Sequence, residues 1–294
     1  MGAADVIPGV SGGTIAFITG IYERWIDALK QLNWHALRLL LSGRWRALWQ
    51  YVDGAFLFPL LGGMLVAILS LAKVIKFLMA HHPVPLWAFF WGLIAASAWV
   101  VRLRIRRWNI TVLGLFFAGM VVAGWISSLS PTQTPGTPLQ LLAGGALAIS
   151  AMMLPGISGS YILMVLGKYE QAIHSVAAVV DFGRDILTGQ PAPWPTDALL
   201  ALSMLLVGIL IGFVVFSRLL SWLLHHYHDP TLAVLMGFMV GSLYKVWPWK
   251  QMVDGLPIGY IPTLEDPHFW SGIIWMAVGI AVVWLLERWS PPEK

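Results

Sequence analysis

The chain of 294 residues contains no cysteine, which excludes disulfides, thiolate metal centres and cysteine nucleophiles. It is also poor in charge. Asp, Glu, Lys and Arg make up 11% of it, against about 25% in an ordinary soluble domain. From Trp108 to Gly167 there are 60 residues without a Lys, Arg, Asp, Glu or His. A water-facing surface cannot be built from such a composition, so a soluble enzyme, a nucleic-acid-binding domain and a disordered chain are excluded. Met1–Ile7 has no basic stretch followed by an apolar run, so no signal peptide is expected there.

What the chain does hold is 58% hydrophobic residues and 17 Trp. Solid apolar runs argue for membrane helices, since a membrane barrel would alternate in short segments. The net charge of +4 fits basic loops on the cytoplasmic face better than nucleic acid. A span needs about 20 apolar residues. Six stretches qualify: Ala55–Leu78, Val84–Val101, Ile110–Leu129, Ala198–Leu224, Thr231–Val246 and Phe269–Leu286. Between Lys30 and Gln50, the residues Trp34, Leu37, Leu41, Trp45 and Leu48 recur at helical spacing with Arg38, Arg44 and Arg46 off the stripe. This predicts one basic amphipathic helix on the membrane surface.

Two further apolar stretches, Val6–Tyr22 and Leu139–Gly167, are interrupted by Pro8-Gly9-Val10-Ser11-Gly12-Gly13-Thr14 and Pro155-Gly156-Ile157-Ser158-Gly159-Ser160. Proline and glycine stop a helix, and serine caps the next one. Each stretch therefore reads as a re-entrant helix–break–helix hairpin, a form tolerated at membrane depth only inside protein or beside water.

The two breaks match. Residues 8–29 align with 155–176 at an offset of 147, with nine of 22 positions identical, including Tyr22-Glu23 and Tyr169-Glu170. At an offset of 145, Lys73 faces Arg218, His81 faces His226, Gly92 faces Gly237 and Ser97 faces Ser242. The chain thus divides into halves 1–130 and 139–294, joined by a linker at 131–138. Each half has one hairpin and three transmembrane helices. Three crossings invert the second half, so the expected fold is an all-α polytopic membrane protein with an inverted-topology repeat. This arrangement puts 12 of the 18 basic residues, from Arg24 to Lys294, on one side, which makes that side and the C-terminus cytoplasmic. Leu139–Leu154 leads into the second break, whereas only Met1–Ile7 precedes the first. By that comparison a lead-in of about 15 residues is expected upstream of Met1.

A helix opening after Ser11 or Ser158 aims backbone N–H groups at the break. Glycine lets a ligand approach the backbone, and Ser11, Thr14, Ser158 and Ser160 add hydroxyls. With Gly12, Gly13 and Gly159 these residues form the candidate anion site, and Lys73 and Arg218 are candidate cations for it. Glu23 and Glu170 are candidate gating or proton-coupling acids. Asp5 joins them, although Met152 stands at its aligned position. The bland alternatives are small residues that let helices pack closely and charges that snorkel to the interface. No cofactor, metal site or catalytic set is expected. The paired histidines His81-His82 and His225-His226 read as loop residues.

These motifs, Gly2-Ala3-Ala4-Asp5-Val6-Ile7-Pro8-Gly9-Val10-Ser11-Gly12-Gly13-Thr14, Gly20-Ile21-Tyr22-Glu23, Leu154-Pro155-Gly156-Ile157-Ser158-Gly159-Ser160 and Leu166-Gly167-Lys168-Tyr169-Glu170, closely resemble those of the bacterial polyprenyl-phosphate transporters. The resemblance covers essentially the whole chain. It implies a flippase returning undecaprenyl phosphate, the lipid carrier of peptidoglycan and other envelope polymers, from the outer to the inner leaflet of the cytoplasmic membrane. Composition and repeat alone reach only an anion-recognising secondary transporter, and the paired Glu23 and Glu170 make protons the candidate coupling ion. The alternatives are a carrier of a small soluble anion and a membrane lipid-phosphate enzyme. The oligomeric state stays open.

Overall fold

The computed structural model describes residues 1–5, 11–130, 136–188, 193–253 and 256–289. Eight helices precede the linker: α1 (Gly2–Asp5), α2 (Gly12–Ile18), α3 (Tyr22–Lys30), α4 (Trp34–Leu41), α5 (Trp45–Tyr51), α6 (Gly54–His81), α7 (Pro83–Arg104) and α8 (Ile110–Ser128). Then come α9 (Pro138–Met153), α10 (Gly159–Val165), α11 (Tyr169–Thr188), α12 (Thr196–His226) and α13 (His228–Ser242). An antiparallel hairpin of β1 (Lys250–Val253) and β2 (Leu256–Gly259) precedes α14 (Phe269–Trp289).

Among the described residues, five helices are long and apolar enough to cross a membrane: α6, α7, α8, α12 and α14. Leu69, Trp99, Ile110 and Trp284 stand exposed on them, as lipid-facing side chains do and water-facing ones rarely do. The chain is a helical, multi-pass membrane protein. Local signals set the helix starts. Pro83 and Pro138 open α7 and α9, Asn109 caps α8 through Val112 N–H, and Thr137 and Gln140 form a capping box on α9.

Three features depart from the sequence reading. The expected fifth span is helical only as α13, whose 15 residues extend about 22 Å, short of a hydrocarbon core of about 30 Å. The chain turns at Leu243–Val246 and meets Pro248, which cannot continue a helix. The surface helix is two helices, because Gly43 between α4 and α5 adopts φ +67°. The β1–β2 hairpin was not foreseen.

The halves share several element bounds. Both α2 and α10 start directly after the serine of the break and run seven residues. Both α3 and α11 start at the tyrosine, after glycines with φ values of 68° (Gly20) and 69° (Gly167). A β-carbon strains that left-handed conformation. α6 and α12 end at the aligned His81 and His226.

Packing crosses between the halves. α7 lies along α14, and α8 along α13. In the first seam Gly92 abuts the Met276 carbonyl and Gly279 the Phe89 carbonyl. In the second, Gly237 abuts the Phe116 carbonyl and Gly119 the Val234 carbonyl. Gly92 and Gly237 are aligned across the halves, as are Phe89 and Val234. A β-carbon at any of these glycines would overlap backbone, so small residues set the helix spacing. Ile26, Ile94, Leu232 and Met239 are fully buried between the halves.

Candidate functional site

The two breaks meet. Leu154 is extended at the end of α9, Gly156 turns with φ +85°, and Ser158 is extended again where α10 starts. Ser11 opens α2 in the same way, and Pro8-Gly9-Val10 lies outside the described residues. Ser11 Oγ accepts from Gly13 N–H at 3.1 Å and donates to the Leu154 carbonyl at 3.1 Å. The buried Tyr22 hydroxyl donates to the Met153 carbonyl at 2.8 Å. First-half side chains thus satisfy carbonyls that the broken second-half helix leaves over.

Between the breaks is a cavity of about 110 Å³ lined by Asp5, Ser11, Met152, Ile157, Ser158, Gly159 and Ser160. Ser158 Oγ and Ser160 Oγ are 2.9 Å apart. Asp5 Oδ1 accepts from Gly12 N–H at 2.7 Å. Its Oδ2 is buried without a hydrogen-bond partner among the described residues, as is Thr14 Oγ1. A buried, incompletely paired polar cluster is costly unless something completes it. The hydroxyls can donate to an oxyanion, and Asp5 can accept from a protonated oxygen. The tip of α2 already faces the Asp5 carboxylate; at α10 the aligned residue is Met152, so that tip has no such acid.

The predicted site residues separate into groups. Asp5, Ser11, Ser158, Gly159 and Ser160 line the cavity, and Gly12, Gly13 and Thr14 are buried in the first turn of α2. Lys73 and Arg218 are exposed on α6 and α12 and do not line it. Glu23 lies at one end of the bundle, with Oε1 3.3 Å from His228 Nε2. Glu170 is exposed in the first turn of α11. Gly159 is tighter than its sequence suggests: a β-carbon there would sit 2.5 Å from the Ala148 carbonyl oxygen. A bulky residue at Gly159 therefore disturbs the α9–α10 packing as well as the cavity.

Two polar clusters escaped the sequence reading. Near Glu23, Asp27 faces His225 at 3.7 Å and accepts from Ser221 Oγ at 2.7 Å, while Asp229 accepts from the backbone of Arg106 and Arg107. The acids of α3 thus face the α12–α13 corner, and His225 is a partner rather than a bare loop residue. At the opposite end, Lys245 and Lys250 gather near Tyr161 and Trp87. Burial, then the neighbouring Lys245, lowers Lys250 to about 8. A separate groove of about 260 Å³ between α6, α7 and α14 is lined by apolar side chains and His82 and shares no residue with the polar cavity. No group of three or more His, Cys, Asp or Glu among the described residues could hold a metal ion.

Fold and site together define a multi-pass helical membrane protein with a small polar cavity where the starts of α2 and α10 come together. The comparisons with known proteins give the family. The chain belongs to the VCA0040-like family, described as undecaprenyl phosphate translocase-like, whose model matches residues 1–256. It is 41% identical to a polyprenyl-phosphate transporter of Vibrio cholerae over 307 residues, covering 99% of this chain and 94% of that one. It is 32% identical to a polyprenyl-phosphate transporter of Staphylococcus aureus over 274 residues, covering 89% and 86%. No solved structure matches it.

Proposed function

We propose that the chain is a polyprenyl-phosphate transporter that returns undecaprenyl phosphate from the outer to the inner leaflet of the bacterial cytoplasmic membrane. The lipid would thereby be recycled for peptidoglycan and other envelope polymers. The observation that carries this reading is the polar cavity at the junction of the two breaks, with Ser11 from one half and Ser158 and Ser160 from the other. The names of the two relatives supply the lipid. Hydroxyls and the backbone around Gly159 receive the phosphate, Gly12 and Gly13 hold Asp5 and Ser11 in place beside it through their N–H groups, Thr14 lies behind them, and the isoprenoid tail stays among lipid. The reading needs neither Lys73 nor Arg218 in the site. No bond is made or broken, so the chain acts as a transporter and not as an enzyme.

In this reading, halves 1–130 and 139–294 are inverted repeats around the site, each contributing one re-entrant hairpin. The shared element bounds and the two cross-half seams support it. The end bearing Glu23, Asp27 and Arg102–Arg107 faces the cytoplasm with the C-terminus, in keeping with its excess of basic residues. Glu23, Glu170 and Asp5 gate the site, with protons as the coupling ion. Reconstitution into liposomes with labelled polyprenyl phosphate tests the function. Protein-dependent leaflet exchange is expected; exchange of a small soluble anion with no lipid movement would move the chain to the rival class.

A further inference from the structure

Lys245 and Lys250 lie just past the end of α13, in a segment that includes Trp247 and Trp249. Neither forms an ion pair among the described residues. Lys245 Nζ sits 4.7 Å from the centre of the Tyr161 ring and donates to its hydroxyl at 3.4 Å. Lys250 Nζ sits 4.4 Å from the centre of the Trp87 ring and donates to the Lys245 carbonyl at 2.6 Å. Both are half-buried. A snorkelling lysine extends its ammonium into water; these two are held against rings and neutral oxygens.

Two neighbouring cations withdrawn from water without a carboxylate are unfavourable until an anion joins them. Each ammonium has three donors and donates to one protein oxygen among the described residues. Tyr161 ties the pair to the site. It follows Ser160 on α10, and its hydroxyl donates to the Ser127 and Leu129 carbonyls at 3.1 and 2.7 Å. The lysines are therefore one side chain away from the helix that carries the cavity hydroxyls, which themselves hold no cation.

We infer that Lys245 and Lys250 form a capture site for a phosphate monoester at the membrane surface, from which the headgroup passes by Tyr161 to the cavity between the breaks. The inference rests on the transport reading, in which this end of the bundle faces outward. Two point charges with no acid paired to them among the described residues suit a doubly charged phosphate, and lysine is a common phosphate ligand.

The test uses the full chain in liposomes and nanodiscs with a Lys245→Gln, Lys250→Gln pair and a Lys245→Arg, Lys250→Arg pair. Leaflet exchange is followed against substrate density, and calorimetry follows binding of inorganic phosphate and of a short-chain prenyl phosphate. The Gln pair is expected to raise half-saturation by about ten- to a hundredfold, the worth of a charged hydrogen bond, while the saturated rate stays near wild type. The Arg pair restores half-saturation. Loss of prenyl-phosphate binding with inorganic phosphate inert assigns the lipid headgroup; loss of both makes free phosphate a ligand as well. Lys250, at about 8, is charged below that pH and neutral above it, so capture should weaken as pH rises through 8. Lys245 and Tyr161 are the titratable groups beside it. Unchanged half-saturation and binding in a transporting Gln pair overturn the inference alone. A wild type that binds prenyl phosphate through these lysines yet moves none overturns the transport reading instead. Lys250→Met, which breaks no ion pair, serves with the same outcomes if the double variant does not fold.

Discussion

Ser11 and Ser158 occupy the same place in the two halves, yet truncating them should have different consequences. Ser11 Oγ caps α2 through Gly13 and donates across to Leu154. Ser11→Ala removes a cap worth about 1 kcal/mol and takes a hydrogen bond worth about 1 kcal/mol from a carbonyl between the halves. The folded state should lose roughly 2 kcal/mol in all. Among the described residues Ser158 makes no side-chain cap, and its hydroxyl meets only that of Ser160. Ser158→Ala should therefore cost under about 1 kcal/mol of stability. Both variants leave a charged ligand short of a donor once the Ser11 proton turns from the Leu154 carbonyl to the ligand, a loss of about 1.5–3 kcal/mol in binding. Thermal inactivation in detergent and leaflet exchange in liposomes separate the two effects. Ser11→Ala should lower both the inactivation midpoint and substrate affinity; Ser158→Ala should lower affinity alone. Wild-type transport by Ser158→Ala, or equal destabilisation by the two substitutions, would refute the assignment of these hydroxyls to the phosphate.

Three other outcomes are expected. A cysteine introduced at Ser130 should label from outside intact cells and one at Ser42 should not; the reverse pattern removes the inverted-repeat orientation. Glu23→Gln deletes the carboxylate facing His228, with Asp229, Asp27 and His225 nearby, and should change the pH profile of transport. Wild-type profiles in both Glu23→Gln and Glu170→Gln would leave proton coupling without these gates. Gly92→Ala and Gly237→Ala should each destabilise by about 1–3 kcal/mol through overpacking. Gly62→Ala, whose β-carbon meets nothing within 4 Å, should not; a matching loss of thermal stability in all three would show that the seams carry no special packing.

Much of the architecture was legible because its signals are local. Pro-Gly followed by Ser fixes where α2 and α10 begin, and Gly20 and Gly167 fix where the chain turns from α2 into α3 and from α10 into α11. Tertiary packing decides what the sequence leaves open. Lys73 and Arg218 align, but alignment says nothing of the face a side chain takes, and both point outward. Asp5 looked weak because it lacks a partner in the repeat, yet it lines the cavity. Tyr161, Lys245 and Lys250 come from distant segments. The visible hint was two lysines around Trp247-Pro248-Trp249 with no acid between them. Gly43 was the available signal that the surface helix would break.

The crossed seams also set a timetable for biogenesis. α7 is complete at Arg104, but its partner α14 begins only at Phe269. At a synthesis rate of about 5–20 residues per second, the delay is on the order of ten to thirty seconds. Throughout that interval the groove at Gly92 lacks the Met276 backbone that fills it in the folded chain. α8 waits less, since α13 begins at His228. The protein therefore closes from its middle outward, and its last span to leave the ribosome completes a contact with a helix from the opposite half.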